Sequence, residues 1–137
     1  MAAIPVLTLV VGEHTATADI LTAVLDELGI SAVEHAPNGA AALLLMGKKR
    51  FELVIADWAM EPVSGLQLLK FLRADANFAE VRVILALPEG HRASEVAAAK
   101  RAGANGVLIT PFSRDSIRKA ILDVLRAHPN PDRRKRA

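Results

Sequence analysis

The sequence predicts a doubly wound α/β domain, with five parallel β-strands in one sheet and helices on both of its faces. Short runs of β-branched and other apolar residues alternate along the chain with segments whose apolar residues recur at helical spacing. This alternation requires a crossover connection between successive strands, which is typical of a parallel sheet. Hydrophobic residues make up 52% of the 137 residues, which is enough for the core of one such domain.

The first half of the chain holds three predicted strands and two predicted helices. The strands are the apolar runs 5–11, 32–36 and 51–56. Thr15 is the expected cap of the first helix, which ends at Gly29. Its inner face is one apolar stripe: Ile20, Leu21, Val24, Leu25 and Leu28. Asn38 and Gly39 are turn residues, and they precede a short apolar helix over 40–46.

The second half of the chain continues the alternation with two strands and three helices. Ser64 is the expected cap of a helix whose apolar face is leucine: Leu66, Leu68, Leu69 and Leu72. The two strands are the apolar runs 81–87 and 106–110. Between them, a helix over 94–102 ends at Gly103. The last helix ends before Pro129 and has these residues inside: Ile117, Ala120, Ile121, Val124 and Leu125.

The composition and the missing motifs exclude several classes of protein. With no cysteine, the chain has no disulfide, thiolate metal cluster or cysteine nucleophile. It lacks the glycine-rich and nucleophile-elbow motifs of dinucleotide enzymes, P-loop NTPases and hydrolases, so we predict that it is not an enzyme. We expect no signal peptide, no membrane span and no separate DNA-binding domain, which together favour a soluble cytoplasmic protein.

The candidate functional residues follow the strands, because ligands of doubly wound sheets bind beyond the carboxyl ends of the strands. Four pairs occupy these positions: Gly12-Glu13, Asp57-Trp58, Leu87-Pro88 and Thr110-Pro111. Three segments that contain or adjoin these pairs, VVGEHT, LVIADWAMEPVSGLQLLKFLRAD and AGANGVLITPF, resemble the receiver domain of bacterial two-component response regulators. The resemblance covers residues 5–128, and the stand-alone, CheY-like kind of receiver has the closest shape.

The resemblance implies a phosphoacceptor, Asp57, and a magnesium ion beside it. In the family, a histidine kinase donates a phosphoryl group to this carboxylate, and Mg²⁺ is held by it and by an acidic pair after the first strand. A lysine at the end of the fifth strand supplies the fixed cation that phosphoryl transfer requires. This chain has Gly12 and Glu13 at the acidic pair and Thr110 at the lysine. Glu13 and Asp57 therefore remain as candidate ligands of a weakly bound Mg²⁺.

The residues that sense the phosphoryl group in the family are also replaced. The hydroxyl position holds Leu87, or Ala86 if the alignment shifts by one residue, and the aromatic switch position falls on Val107. We expect Leu87 and Val107 to pack together, which favours one conformation over two. Two interpretations of Asp57 follow. It is either a residual phosphoacceptor or an inherited carboxylate whose readout is lost, and we favour the second.

Charge is distributed unevenly along the chain. Residues 1–112 carry 9 basic and 12 acidic side chains, a net charge of −3, whereas residues 113–137 carry 8 basic and 3 acidic side chains, a net charge of +5. One interpretation is a solvated helix face and a frayed terminus. The other is a site for an anionic partner, since six of the eight basic residues are arginine, which stacks on bases and binds phosphate and guanine in a bidentate manner.

The arginine-rich end resembles a subclass of CheY-like proteins that bind cyclic di-GMP there and then engage the flagellar motor switch. The candidate ligand-binding residues are Arg114, Arg118, Asp132, Arg133, Arg134 and Arg136. The first two lie one helical turn apart, and the carboxylate of Asp132 suits the N–H donors of guanine. The rest of the segment would order when the dinucleotide binds.

These features predict a receiver domain, residues 1–128, followed by a basic arginine-rich tail, residues 129–137. We expect a signalling adaptor that is controlled by cyclic di-GMP and contacts a protein of the flagellar motor or the chemotaxis machinery. The alternative is a conventional response regulator of a phosphorelay that uses Asp57 and Glu13 with Mg²⁺. A third possibility is a constitutive interaction module that uses neither ligand.

Overall fold

The computed structural model describes residues 6–127, and in this range strands and helices alternate as predicted. The strands are β1 (Thr8–Val11), β2 (Val33–Ala36), β3 (Leu53–Asp57), β4 (Arg82–Leu87) and β5 (Gly106–Ile109). The helices are α1 (Thr15–Glu27), α2 (Gly39–Met46), α3 (Gly65–Ala74), α4 (Ala93–Arg101) and α5 (Arg114–Arg126). No helix within this range is long and apolar enough to span a bilayer.

All five strands are parallel and form one sheet in the order β2-β1-β3-β4-β5, which confirms the doubly wound α/β fold. The chain passes from β1 to one side of the sheet and then returns to the other side at β3. The strand order therefore reverses between β1 and β3, where Val11 pairs in register with Ala56. Asp57 follows Ala56 directly and so lies at the switch point, which is where doubly wound sheets place their functional residues.

The core consists of two apolar layers, one on each face of the sheet. The helices α2, α3 and α4 cover one face and contribute Met46, Leu68 and Leu72 among others, whereas α1 and α5 cover the opposite face. The central strands β1, β3 and β4 are buried on both sides, as their nearly unbroken apolar runs predict. Asp57 is only partly buried, because it is the last residue of β3.

Three helices of the described range begin at a residue whose side chain caps them, and one of these residues, Ser64, was predicted. Ser64 and Ser113 accept hydrogen bonds from the backbone N–H three residues on, and Asn38 does the same for Ala41 at 2.9 Å. Thr15 was the expected cap of α1, but this prediction is wrong. The extended residue is His14, its side chain makes no capping hydrogen bond, and Thr15 is the first helical residue.

The apolar stripe of α1 is narrower than predicted. Leu21, Val24 and Leu25 are buried, and Leu28 is partly buried against the same layer. Ile20 is 42% exposed, so its placement on the inner face was wrong. It precedes Leu21 by about 100° of helical rotation and thus lies beyond the edge of the surface that the sheet covers.

The guanidinium of Arg73 joins three segments at the amino-terminal edge of β4 and β5. Its Nε and Nη2 donate to the carbonyl of Gly103 at 3.1 and 2.9 Å, and Nη1 donates to the carbonyl of Ala79 at 3.1 Å. Nη2 also reaches Oδ1 of Asn105, which in turn accepts the N–H of Val83. Burial lowers the pKa of Arg73. The network fixes the end of α3 to the turn before β5.

Candidate functional site

The carboxylate of Asp57 lies directly over Gly12, at the carboxyl ends of the two central strands. A Cβ atom built on Gly12 would be 2.3 Å from Oδ2 of Asp57 and 2.9 Å from its Cγ, so any side chain at this position requires Asp57 to move. Gly12 itself is held in the sheet by a hydrogen bond from its N–H to the carbonyl of Ala36 at 2.9 Å. Asp57 thus fills the space that opens when the first member of the acidic pair is glycine.

The charge on Asp57 is set by burial and by two neighbours in the loop after β1. Burial raises the pKa of Asp57, His14 acts in the opposite direction, and Glu13 raises the pKa further. Within residues 6–127, no hydrogen bond reaches the carboxylate. His14 was not among the candidate residues from the sequence, although its position immediately after Glu13 places it at the same strand end.

The end of β5 provides no cation to this site. Thr110 is joined to the neighbouring strand by a hydrogen bond from its N–H to the carbonyl of Leu87 at 3.1 Å, and its side chain is uncharged. Of the two charged neighbours, His14 is the one that lowers the pKa of Asp57. It lies at the β1 end of the site and not at the β5 end, where the resemblance places a lysine.

The donor set for a metal ion is small. The resemblance to receiver domains implies Mg²⁺ at this end of the sheet. In the part of the chain that the structure describes, no cluster of three or more His, Asp or Glu side chains could hold a metal ion. Glu13 and Asp57 are close enough for their charges to interact, but Gly12 supplies no third carboxylate. A magnesium ion held here would depend on these two carboxylates and on water.

The positions that should report on the phosphoryl group are apolar and packed. Leu87 is fully buried, and it belongs to the same apolar layer as Val107. In the register of the sheet, Val107 pairs with Leu85 and Leu87 pairs with Ile109, so Leu87 and Val107 lie diagonally on one face. Ala86, the alternative hydroxyl position, pairs with Asp57 and accepts the N–H of Trp58 at 2.8 Å. Neither side chain has a polar atom to offer.

We expect Asp57→Asn to stabilise the protein at about pH 7, by less than about 1 kcal/mol because the carboxylate is partly solvated. A carboxyl whose pKa is higher in the folded chain than in the unfolded one opposes folding increasingly as the pH rises above the unfolded value, and fully once the pH exceeds the folded value. Below the ordinary value of 3.8 both states are protonated, and the gain should vanish. Thermal unfolding of both chains against pH measures the effect, with Asp19→Asn on the exposed side of α1 as the control. A gain that is the same at every pH would rule out the charge as its cause.

The two described arginines of the predicted ligand site lie side by side, but they surround a carboxylate. Nη2 of Arg118 contacts Oε2 of Glu27 at 3.0 Å, and Nη1 of Arg114 pairs with the other oxygen, Oε1. Asp115 is 3.9 Å from Arg118, and Lys119 pairs with Asp123 at 2.7 Å. Glu27 was not among the residues predicted for this site. Ligand candidates Asp132, Arg133, Arg134 and Arg136 lie outside the described residues.

The sequence matches the profile of the response regulator receiver domain over residues 8–122. It is 30% identical over 113 residues to the chemotaxis protein CheY-3 of Vibrio cholerae, covering 82% of this chain and 86% of that protein. It is 27% identical to the chemotaxis protein CheY of Pseudomonas aeruginosa, covering 82% of this chain and 90% of the relative.

Solved structures show the same fold. The chemotaxis response regulator CheY4 of Vibrio cholerae superposes with a TM-score of 0.77 at 24% identity, covering 90% of this chain and 98% of that chain. A response regulator receiver protein from Pseudomonas putida superposes with a TM-score of 0.75 at 26% identity and the same coverage of 90% and 98%. The likeness extends over nearly the whole of each structure.

Proposed function

The chain belongs to the response regulator receiver family, and from this premise we propose that it is a cytoplasmic, single-domain signalling adaptor that acts by contact with a protein partner. Receiver domains are signalling domains and not enzymes. The proposal depends on one observation above the others. Asp57 is retained at the switch point, but the residues that would report its phosphorylation are the apolar Leu87 and Val107. A phosphoryl group on Asp57 would therefore find no polar side-chain atom at these two positions.

The partner in this proposal is a protein of the flagellar motor or the chemotaxis machinery. The relatives in Vibrio cholerae and Pseudomonas aeruginosa are chemotaxis proteins by name. The surface formed by α4, β5 and α5 is the candidate contact, as the family resemblance implies. Ile109, an apolar residue of β5, is 43% exposed on this surface.

The input in this proposal is cyclic di-GMP, held by Arg114, Arg118 and the segment from Asp132 to Arg136. The observation in favour of it is the arrangement of the first two residues, whose guanidiniums already engage both oxygens of one carboxylate. Two guanidiniums in this arrangement also fit the oxygens of a phosphodiester. Residues 1–128 form the receiver in this scheme, and the basic tail, 129–137, completes the ligand site.

Calorimetric titration with cyclic di-GMP tests the input, with GTP as the competing guanine nucleotide. We expect Arg114→Ala with Arg118→Ala to weaken binding at least about tenfold, since each arginine supplies a charge-assisted contact. Lys119→Ala is the matched control, because Lys119 lies on the same helix and pairs with Asp123 instead. A chain that ends at His128 should also lose binding. Absence of heat from the full chain, or equal affinity in all variants, would contradict a cyclic di-GMP site at this end.

The second candidate function is a conventional phosphoacceptor that receives its phosphoryl group from a histidine kinase. The partial exposure of Asp57 at the switch point favours it, since a phosphodonor can reach the carboxylate. Under this alternative, Asp57→Asn abolishes signalling in cells, whereas under the proposed function it leaves signalling intact. If neither Asp57→Asn nor the double arginine variant changes signalling, the chain acts as a constitutive interaction module.

A further inference from the structure

The arginine pair of α5 is already occupied by a carboxylate from another helix. Glu27 is the last residue of α1, and its two carboxylate oxygens are divided between Arg114 and Arg118. The ion pairs join residues that are 87 and 91 positions apart in the sequence, so they form only when α1 and α5 pack side by side on the sheet. Glu27 therefore takes the place that an anionic ligand of this pair would need.

Charge counting on this surface leads to the same conclusion. The first three turns of α5 carry three cations, Arg114, Arg118 and Lys119. Three carboxylates face them, Glu27 and Asp115 at the arginines and Asp123 at the lysine. These three turns of α5 thus present no net positive charge to an anion. Removing the charge of Glu27 is the change that frees both arginines at once.

The exchange of Glu27 for a ligand is feasible because the ion pairs are open to water. The side chains of Arg114 and Arg118 are 60% and 44% exposed, and exposed ion pairs contribute little to stability. Glu27 also lies at the carboxyl end of α1, where the helix dipole disfavours negative charge. Its displacement by a dianion that engages both guanidiniums therefore costs little.

We infer that Glu27 is an internal competitor that holds the arginine pair of α5 closed to phosphate-bearing ligands and sets the affinity with which they bind. The inference rests on the proposed function in that it deepens the regulation of the same site. Glu27→Gln keeps the shape and removes the charge, so we expect it to tighten cyclic di-GMP binding about five- to tenfold. Asp26→Asn is the matched control, because it changes the net charge equally on a neighbouring exposed residue that has no ion pair within residues 6–127.

The experiment combines calorimetry with cyclic di-GMP and a pyrophosphate titration followed by NMR at the side-chain N–H groups of Arg114 and Arg118. Tighter binding by Glu27→Gln than by both the parent and Asp26→Asn supports the inference. If the parent binds cyclic di-GMP and Glu27→Gln binds it equally well, the inference fails and the proposed input remains. If no chain binds cyclic di-GMP, the proposed input fails, and the pyrophosphate titration tests the inference alone. Larger chemical-shift changes of the two arginines in Glu27→Gln than in the parent support the inference. Equal changes overturn it.

Discussion

Replacing Gly12 with aspartate and Thr110 with lysine should accelerate phosphorylation of Asp57 by a small phosphodonor about 100-fold in the presence of Mg²⁺. The first change restores a carboxylate to the metal site, and the second restores the cation that neutralises charge on the transferred group. The new side chain at residue 12 requires Asp57 to rotate, because its Cβ would lie 2.3 Å from Oδ2. Rotation is inexpensive, since no hydrogen bond holds this carboxylate among the described residues.

Incorporation of label from acetyl phosphate measures this gain. The paired control, Gly12→Ala with Thr110→Met, displaces Asp57 in the same way but adds no charge, and it should remain as slow as the parent chain. Asp57→Asn in the improved background should abolish labelling. If the parent chain is already labelled as rapidly as the double variant, Asp57 is a functional phosphoacceptor. This outcome would weaken the proposal that cyclic di-GMP is the input.

Arg73→Met should lower the free energy of unfolding by about 3 kcal/mol. The guanidinium donates to two backbone carbonyls and to Oδ1 of Asn105, and the thioether that replaces it can donate to none of them. Gly103 depends on this contact in a second way. Its φ of +102° suits glycine, and a Cβ atom built on it would lie 3.0 Å from Nε of Arg73. The turn before β5 therefore loses a close neighbour as well as its hydrogen bonds.

Urea unfolding measures the loss, and Lys70→Met is the matched control. Lys70 lies on the exposed side of the same helix, and no ion pair holds it within residues 6–127. Its replacement by the same residue should change stability by less than about 0.5 kcal/mol. Equal unfolding midpoints for the two variants would show that the Arg73 network contributes nothing beyond an ordinary surface residue.

The fold was predictable because each strand and helix has a recognisable pattern in its own segment of the sequence. Apolar runs of strand length, turn residues and the capping residue Ser64 give the order of the elements, and the parallel sheet then places Asp57 at the switch point. The replacement of the sensing positions by Leu87 and Val107 was equally visible, since it concerns residue types alone. Both residues occupy the apolar layer that their side chains favour.

The contacts between distant elements were not predictable from residue types. Glu27 and the arginines of α5 meet only because α1 and α5 share a face of the sheet, and this depends on the order of all five strands. The position of Asp57 over Gly12 depends on a side-chain rotation that no spacing encodes. The burial of Ile20 was predicted wrongly because successive helix residues point about 100° apart. One residue can therefore face the sheet while its neighbour faces the solvent.

The Arg73 network lies at the amino-terminal end of the strands, whereas Asp57 lies at their carboxyl-terminal end. This separation affects how the domain tolerates substitutions. The hydrogen bonds that anchor β4, β5 and the end of α3 involve neither Asp57 nor its neighbours after β1. The side chains at the carboxyl-terminal end of the strands can therefore be exchanged, and a chemical input can be lost or gained there. The hydrogen bonds of Arg73 remain intact when this happens. The amino-terminal end of the sheet therefore maintains the fold, whereas the carboxyl-terminal end can change its chemistry.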